Sequence, residues 1–407
     1  MLGTIESNVI EPSSSCISMR TPNLRKYVMK AMILAAGKGT RVRPLTYELP
    51  KPMIPILGKP VMAYLIEHLA LHGIQEVMVN VSYLHEKIQQ YFGDGHRFGV
   101  SIGYSFEGDI SNGQIVPSPV GSAGGMRKIQ DFGGFFDETT IVICGDAIID
   151  LDITKAVAEH KQKGALVSLV AKEVPMDKVS GYGIVVTDEA GKIVSFQEKP
   201  SQAEARSNLA STGIYIFEPE ALNLIPSGST FDIGSDLFPL LVEKQLPFYA
   251  INQPFNWIDI GLVSDYWLVM QPVMRGEVPS MPMPGKQIRP GIWVGLNVHI
   301  DWEHTHIEGP VYLGSGVRVD KGTQIIGPTW ISDGCHIQRG AKVIRSVLFE
   351  YTRVGQDYTV EEMIVCGEYC VDKSGRMMHV DDDGCDLIWS DAREKVIYPM
   401  NYAYARL

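Results

Sequence analysis

Gly37, Lys38, Gly39, Thr40 and Arg41 follow directly on the apolar run Ala31–Ala36, and Lys51 lies a short distance downstream. The apolar run reads as a buried parallel strand, after which the glycines let the backbone turn tightly against a ligand. Successive N–H groups in such a turn form an anion-binding nest. Arg41 offers a bidentate fork and Lys51 a point charge, so a polyphosphate would meet fixed donors in place of water.

Two common glycine motifs are excluded by spacing. A Walker loop needs Gly-x4-Gly-Lys-Ser/Thr, whereas Gly37 and Gly39 crowd together, and a dinucleotide fingerprint needs glycine or alanine where Val42 stands. Carboxylates supply the complementary chemistry. Asp146 follows the apolar run Ile141–Cys144 and Gly145, at the carboxyl end of an expected parallel strand, where open sheets bind ligands. Asp259, within Trp257-Ile258-Asp259-Ile260-Gly261, is a second candidate. A hard cation needs few carboxylates when phosphate and water fill its other positions. Taken alone, an aspartate after a strand is more often a helix cap, so the residues by themselves leave both readings open. Asp152 reads as such a cap, and Asp150 and Asp152 are left out of the metal set.

The longer string Gly37-Lys38-Gly39-Thr40-Arg41, Pro44-Leu45-Thr46, Pro50-Lys51-Pro52-Met53 and Gly58-Lys59-Pro60 resembles the signature of the nucleotide-sugar pyrophosphorylases. Within that family it looks like the mannose-1-phosphate guanylyltransferases and the cyanobacterial-type UDP-glucose enzymes. The resemblance implies nucleotidyl transfer from a nucleoside triphosphate to a sugar 1-phosphate, with Mg²⁺ as cofactor and pyrophosphate as leaving group. It implies catalytic roles for Arg41, Lys51, Asp146 and Asp259, the two aspartates also binding the metal. Leu34, Ala36, Gly37, Gly39 and Thr40 would contact the nucleotide.

Gly121-Ser122-Ala123-Gly124 resembles the family's base-binding loop, which adds Gly121 and Ser122 to the nucleotide contacts. The preceding segment Glu107–Val120 is longer than usual, with Asn112-Gly113 as an expected hairpin tip, and is expected to read the base, Gln114 included. On the sugar-phosphate side, Glu198-Lys199-Pro200, Tyr182-Gly183 and Ser211-Thr212-Gly213 resemble family segments, which assigns Gly183, Glu198, Lys199 and Gly213; serine stands at 211 where asparagine is usual. GTP with mannose 1-phosphate is the first expectation. UTP with glucose 1-phosphate is the alternative, and a non-catalytic sensor of nucleotide sugars is a competing class. A fused acyltransferase would need a catalytic histidine; His299, His304, His306 and His336 match no such motif.

These residues need a scaffold, and from Met29 to Gly276 strand-like runs alternate with amphipathic segments, the pattern of an α/β domain with a Rossmann-like, mixed but mainly parallel sheet. Val61–His72 is an expected helix stopped by Gly73, and Ile153–Lys163 another. Glu76–Val81, Thr140–Cys144, Ala165–Val170 and Ser211–Phe217 read as strands. Pro279, Pro282, Pro284 and Pro290 mark residues 277–290 as a linker. Ile307, Leu313, Val319, Ile325, Ile331, Ile337 and Val343 then recur at a spacing of six, with small or apolar companions four residues later. That period predicts a parallel β-helix over 291–370, left-handed by the family resemblance, with 371–407 as its cap.

At 407 residues and 45% hydrophobic content the chain can bury more than one core. A formal net charge of −11 argues against a nucleic-acid polymer as partner. The six cysteines lack metal or redox spacing, which favours reduced thiols and a cytoplasmic setting. No apolar run is long enough to span a bilayer, residues 1–28 are expected to form a disordered tail, and the β-helix is expected to join copies into a homo-oligomer.

Overall fold

Ala31, Met32 and Ile33 are each completely buried, because the strand they belong to, Lys30–Ala35, lies in the middle of a sheet with helices on both faces. The computed structural model describes residues 29–111, 114–278, 281–382 and 384–394; residues 1–28, Asn112 and Gly113 (the expected hairpin tip), Pro279, Ser280, Asp383 and the last 13 residues lie outside the described set.

Alternation along the central strands feeds two cores. Ala31, Ile33, Ile141 and Ile143 pack under the helix Val61–Leu71, while Met32 and Val142 face Met126 and Ile129 of the helix Ser122–Gly133. The first helix buries Met62, Leu65, Ile66 and Leu69, leaves Leu71 in solvent, and ends where Gly73 takes a left-handed φ of 78°.

Lys30–Ala35 pairs in parallel with Glu76–Val81 on one side and Thr140–Cys144 on the other, and Ser101–Phe106 extends the parallel half. Beyond Thr140–Cys144 the sheet changes sense. Leu209–Phe217 runs antiparallel to it and to Val167–Glu173, and Gly183–Thr187 with Ile193–Glu198 completes the edge. A second small pairing sets Trp257–Asp259 antiparallel to Ala147–Ile149.

The region read as a linker is partly regular. Lys286–Arg289 forms a strand antiparallel to Ile292–Val294. Every residue of it is exposed, so no apolar alternation announces it, and Pro284 and Pro290 flank the strand without interrupting it.

From Ile292 onward short parallel strands stack into the three faces of a β-helix. Val311–Leu313 lies over Thr329–Ile331, Arg318–Val319 over His336–Ile337, and Gln324–Ile326 over Lys342–Ile344, each one coil of 18 residues apart. Leu313, Val319, Ile325, Ile331, Ile337 and Val343 fill the interior. The companions Thr323 and Thr329 are buried, their hydroxyls donating to the carbonyls of Asp320 and Ile326. The strict period breaks after Val343: Leu348 pairs with Ile331, so that coil is one residue shorter. Parallel stacking ends at Met363–Cys366; Tyr369–Asp372 turns back antiparallel, and Trp389–Asp391 pairs antiparallel with Thr352–Val354, burying the Trp389 ring over the last coil.

The β-helix docks on the first domain through one face. Tyr312, Trp330, Val347 and Ile364 share a core with Ile54, Ile56, Tyr266 and Met270.

Candidate active site

The glycine turn leaves the sheet at the carboxyl end of Lys30–Ala35. A β-carbon at Gly37 would meet nothing within 4 Å, so its backbone faces open space. Gly39, at φ 61°, is wedged: a β-carbon there would stand 3.0 Å from Thr46 and 3.1 Å from Lys51. The buried Thr46 hydroxyl donates to the Gly39 carbonyl at 2.8 Å, tying the turn to the segment that carries Lys51. Lys38, Thr40 and Arg41 are exposed, whereas Leu34 and Ala36 are half-buried at the floor. Arg41 forms no ion pair among the described residues.

Register brings the two aspartates together. Asp259 pairs with Ala147, the neighbour of Asp146, across the small antiparallel ladder. The Lys51 ammonium donates to Asp146 and stands 3.8 Å from Asp259. Burial works against the lysine's charge, but Asp146 and then Asp259 outweigh it and hold its pKa above the ordinary lysine value. The Asp259 carboxyl is pushed up to about 6, first by burial and then by the charge of Asp146.

Among the described residues no group of three or more His, Cys, Asp or Glu is placed to hold a metal ion. The pair nevertheless suits a hard dication. Two oxygen donors, mutually repelling and only partly shielded by one lysine, gain from added positive charge, and phosphate oxygens and water can complete an octahedral shell.

The loop Gly121–Gly125 is built for close packing. A β-carbon at Gly121 would lie 2.4 Å from the Phe231 carbonyl, and one at Gly125 2.5 Å from the Glu107 carboxylate. The Ser122 hydroxyl donates to Asp232 at 2.7 Å and accepts from the Ile233 amide. Gly108–Ser111 and Gln114–Pro117 form the expected hairpin before it, pairing Ser111 with Gln114; its tip and the Gln114 side chain are outside the described set.

On the other side of the strand ends, Gly183 pairs with Glu198, whose carboxylate lies against Gly183 and Gly234. Lys199 reaches Glu198 at 2.6 Å and holds a left-handed φ of 47°. Gly213 sits at a bulge in Leu209–Phe217, at φ 73°. Asp152 caps its helix through the Lys155 amide, and Asp150 is held by Asn256.

Residues 30–275 match the family model described as Nucleotidyl transferase. The chain belongs to that family. This nucleotidyltransferase is 52% identical over 379 residues to a UTP–glucose-1-phosphate uridylyltransferase from Synechocystis, covering 93% of this chain and 98% of that one. It is 30% identical to a mannose-1-phosphate guanylyltransferase from Mycobacterium tuberculosis, over 72% of this chain and 82% of the relative. Among solved structures, one described as a glucose-1-phosphate thymidylyltransferase from Bacillus anthracis, in complex with a sucrose, superposes with a TM-score of 0.51 at 24% identity, over 60% of this chain and 94% of the other. At that identity the likeness speaks for the fold. No helix among the described residues of the nucleotidyltransferase is long and apolar enough to cross a membrane.

Three further polar groups lie at this nucleotidyltransferase's candidate site; the sequence did not single out Asn80 and Asp232, and it marked Glu107 only as the start of the Glu107–Val120 segment. Asn80 accepts from the Ala35 amide at 2.8 Å and donates to Glu107 at 2.5 Å. Glu107 is buried, and burial raises its pKa despite the hydrogen bonds from Asn80 and the Val120 amide. Asparagine inside the apolar run Val77–Val81 was a usable signal. Asp232 joins the two halves: it holds Ser122 with one oxygen and the Gly234 amide with the other, beside Glu198.

Proposed function

We propose that this chain transfers a uridylyl group from UTP to glucose 1-phosphate, releasing pyrophosphate. The observation that carries the reading is the 52% identity to the Synechocystis uridylyltransferase, extending over nearly all of both chains. The first expectation, GTP with mannose 1-phosphate, gives way because the guanylyltransferase relative is only 30% identical over a shorter span. Base and sugar are thus assigned by overall likeness, with the hairpin Gly108–Pro117 and the Gly121–Gly125 loop as the segments expected to read uracil.

In this reading an oxygen of the sugar phosphate attacks the α-phosphorus of UTP, a P–O bond forms, and the bond to the β-phosphate breaks with pyrophosphate leaving. Catalysis is positioning and charge neutralisation. Arg41 and the amides of the Gly37–Thr40 turn, above the floor set by Leu34 and Ala36, take the departing phosphates; Gly121 and Ser122 shape the nucleotide pocket. Lys51 neutralises the α-phosphate. Lys199 binds the sugar phosphate, while Glu198, Gly183 and Gly213 line the sugar. Asp146 and Asp259 would hold Mg²⁺, which supplies charge stabilisation at the triphosphate when bound.

A panel measuring pyrophosphate release tests the assignment, crossing UTP, GTP, ATP and dTTP with the 1-phosphates of glucose, mannose, galactose and N-acetylglucosamine. The highest kcat/KM is expected for UTP with glucose 1-phosphate. A maximum at GTP with mannose 1-phosphate would overturn it.

A further inference from the structure

We propose that the β-helix takes part in catalysis by holding the Lys51 segment at both ends, with Trp330 and Tyr369 as the positioning residues. The inference rests on the role given to Lys51 above.

Lys51 opens a short turn, Lys51–Met53, in a loop with little regular structure of its own. Upstream of it, the Tyr47 ring packs on Tyr369 of the β-helix end at 4.8 Å between centroids, with the Arg43 guanidinium over the Tyr47 ring at 5.1 Å. The first domain grips the same place from behind, where the Tyr83 hydroxyl reaches the Thr46 and Tyr47 carbonyls at 3.2 and 3.1 Å. Glu48 lies against Gly367, where a β-carbon would come within 2.5 Å of its carboxylate.

Downstream, the chain makes a tight hairpin from Pro55 to Pro60 with Gly58 at φ 73°. A β-carbon at Gly58 would stand 3.3 Å from the Trp330 ring, so the indole is seated on the hairpin backbone. Trp330 is itself fixed. It stacks on Tyr312 at 4.0 Å and 16°, and its N–H donates to the Ser332 hydroxyl at 3.0 Å. Both rings are almost wholly buried, Trp330 at 3% and Tyr312 at 8% exposure.

Leu49 and Met53, between these anchors, line an open cleft of about 1600 Å³ between the first domain and the β-helix. The loop is therefore held on both flanks of the lysine, whose neighbours Pro50, Pro52, Met53 and Ile54 are buried. The Lys51 ammonium lies beside Asp146 and Asp259, where the triphosphate is to be met, and a displacement of about 1 Å at a reacting centre can cost roughly 10²-fold. A flat aromatic face on a glycine hairpin fixes backbone position with few rotatable bonds, which suits this task.

The test is a double-mutant cycle on the full chain with the best substrate pair of the panel, using Lys51→Ala, Trp330→Ala, Trp330→Phe and Tyr369→Ala. Trp330→Ala and Tyr369→Ala are each expected to lower kcat about tenfold with KM for the triphosphate changed less than about twofold, and Trp330→Phe to recover most of it. In the Lys51→Ala background, Trp330→Ala should cost less than about twofold more, since its effect runs through the missing lysine. Thermal unfolding of each variant checks the fold; if Trp330→Ala does not fold, Tyr369→Ala completes the cycle. Equal losses in both backgrounds, or no kcat loss from either ring in a folded variant, would overturn the inference. If Lys51→Ala itself leaves turnover intact, the role assigned to Lys51 fails instead.

Discussion

A β-carbon at Gly213 would come within 2.9 Å of the Cys144 sulfur, two residues ahead of Asp146. The bulge at Gly213 and the end of the strand Thr140–Cys144 are therefore fitted to each other, and the fit bears on where Asp146 stands. The Cys144 thiol has no chemical part in this, since burial raises its pKa far out of reach.

Gly213→Ala combines a left-handed φ with that contact, so it should lower the melting temperature and destabilise the fold by about 1–3 kcal/mol. Turnover should fall about tenfold through displacement of the strand end. Adding Cys144→Ala to Gly213→Ala removes the sulfur and should restore part of the turnover. No recovery in the double variant would assign the loss to backbone strain alone.

Asp146→Asn and Asp259→Asn keep shape and remove charge. Each should lower turnover by at least ~10², the scale of one preorganised electrostatic contact, while the fold persists. Titrating Mg²⁺ against rate should show both variants needing more metal. A variant that keeps wild-type turnover at limiting Mg²⁺ would remove that residue from the metal site.

The cluster of Lys51, Asp146 and Asp259 was legible because its motifs are contiguous: each signature residue is fixed by its near neighbours in the chain. The β-helix was legible because an interior this narrow admits one side chain per face, which imposes the period of six. Where the structure departs from that period, at Ser346–Leu348, only the pairing of Leu348 with Ile331 reveals the missing residue. Asn80 and Asp232 were not read as site residues, and Glu107 only as the start of the Glu107–Val120 segment, because their partners are supplied by tertiary packing: the Asp232 contact with Ser122 spans 110 positions. The strand Lys286–Arg289 went unread because an exposed edge strand carries no alternation.

Lys199 holds a backbone conformation that glycine adopts freely and lysine resists. Strain of this kind persists where the surrounding structure over-determines it, and it clusters at ligand-binding sites. Lys199→Gly should raise the melting temperature, by up to about 1 kcal/mol in stability, while raising KM for the sugar phosphate about tenfold or more. Lys199→Met should weaken binding without the gain in stability. If Lys199→Gly binds the sugar phosphate as the wild type does, the lysine is no ligand for it.

His160 carries a pH dependence of stability away from the site. Its ring is completely buried, with one nitrogen 2.8 Å from the Ser168 hydroxyl and the other 2.7 Å from Glu218. Burial holds its pKa below the ordinary 6.5, the pull of Glu218 only partly offsetting this. The folded state thus resists a proton that the unfolded chain accepts, so this contribution is full above pH about 6.5 and is lost as pH falls through that range. Glu218, whose pKa is lowered by Lys161 and His160 although burial opposes them, adds a second loss only below its ordinary 4.5. Asp259 acts in the opposite sense, its raised pKa giving stability that is lost as pH rises through about 6. The histidine's share therefore has to be read as a difference between variants. Melting temperatures of wild type and His160→Gln, measured without metal or substrate from pH about 7.5 to 5, should diverge in slope, the wild type losing more on acidification. Parallel curves for the two proteins would show that His160 titrates alike in the folded and unfolded chains.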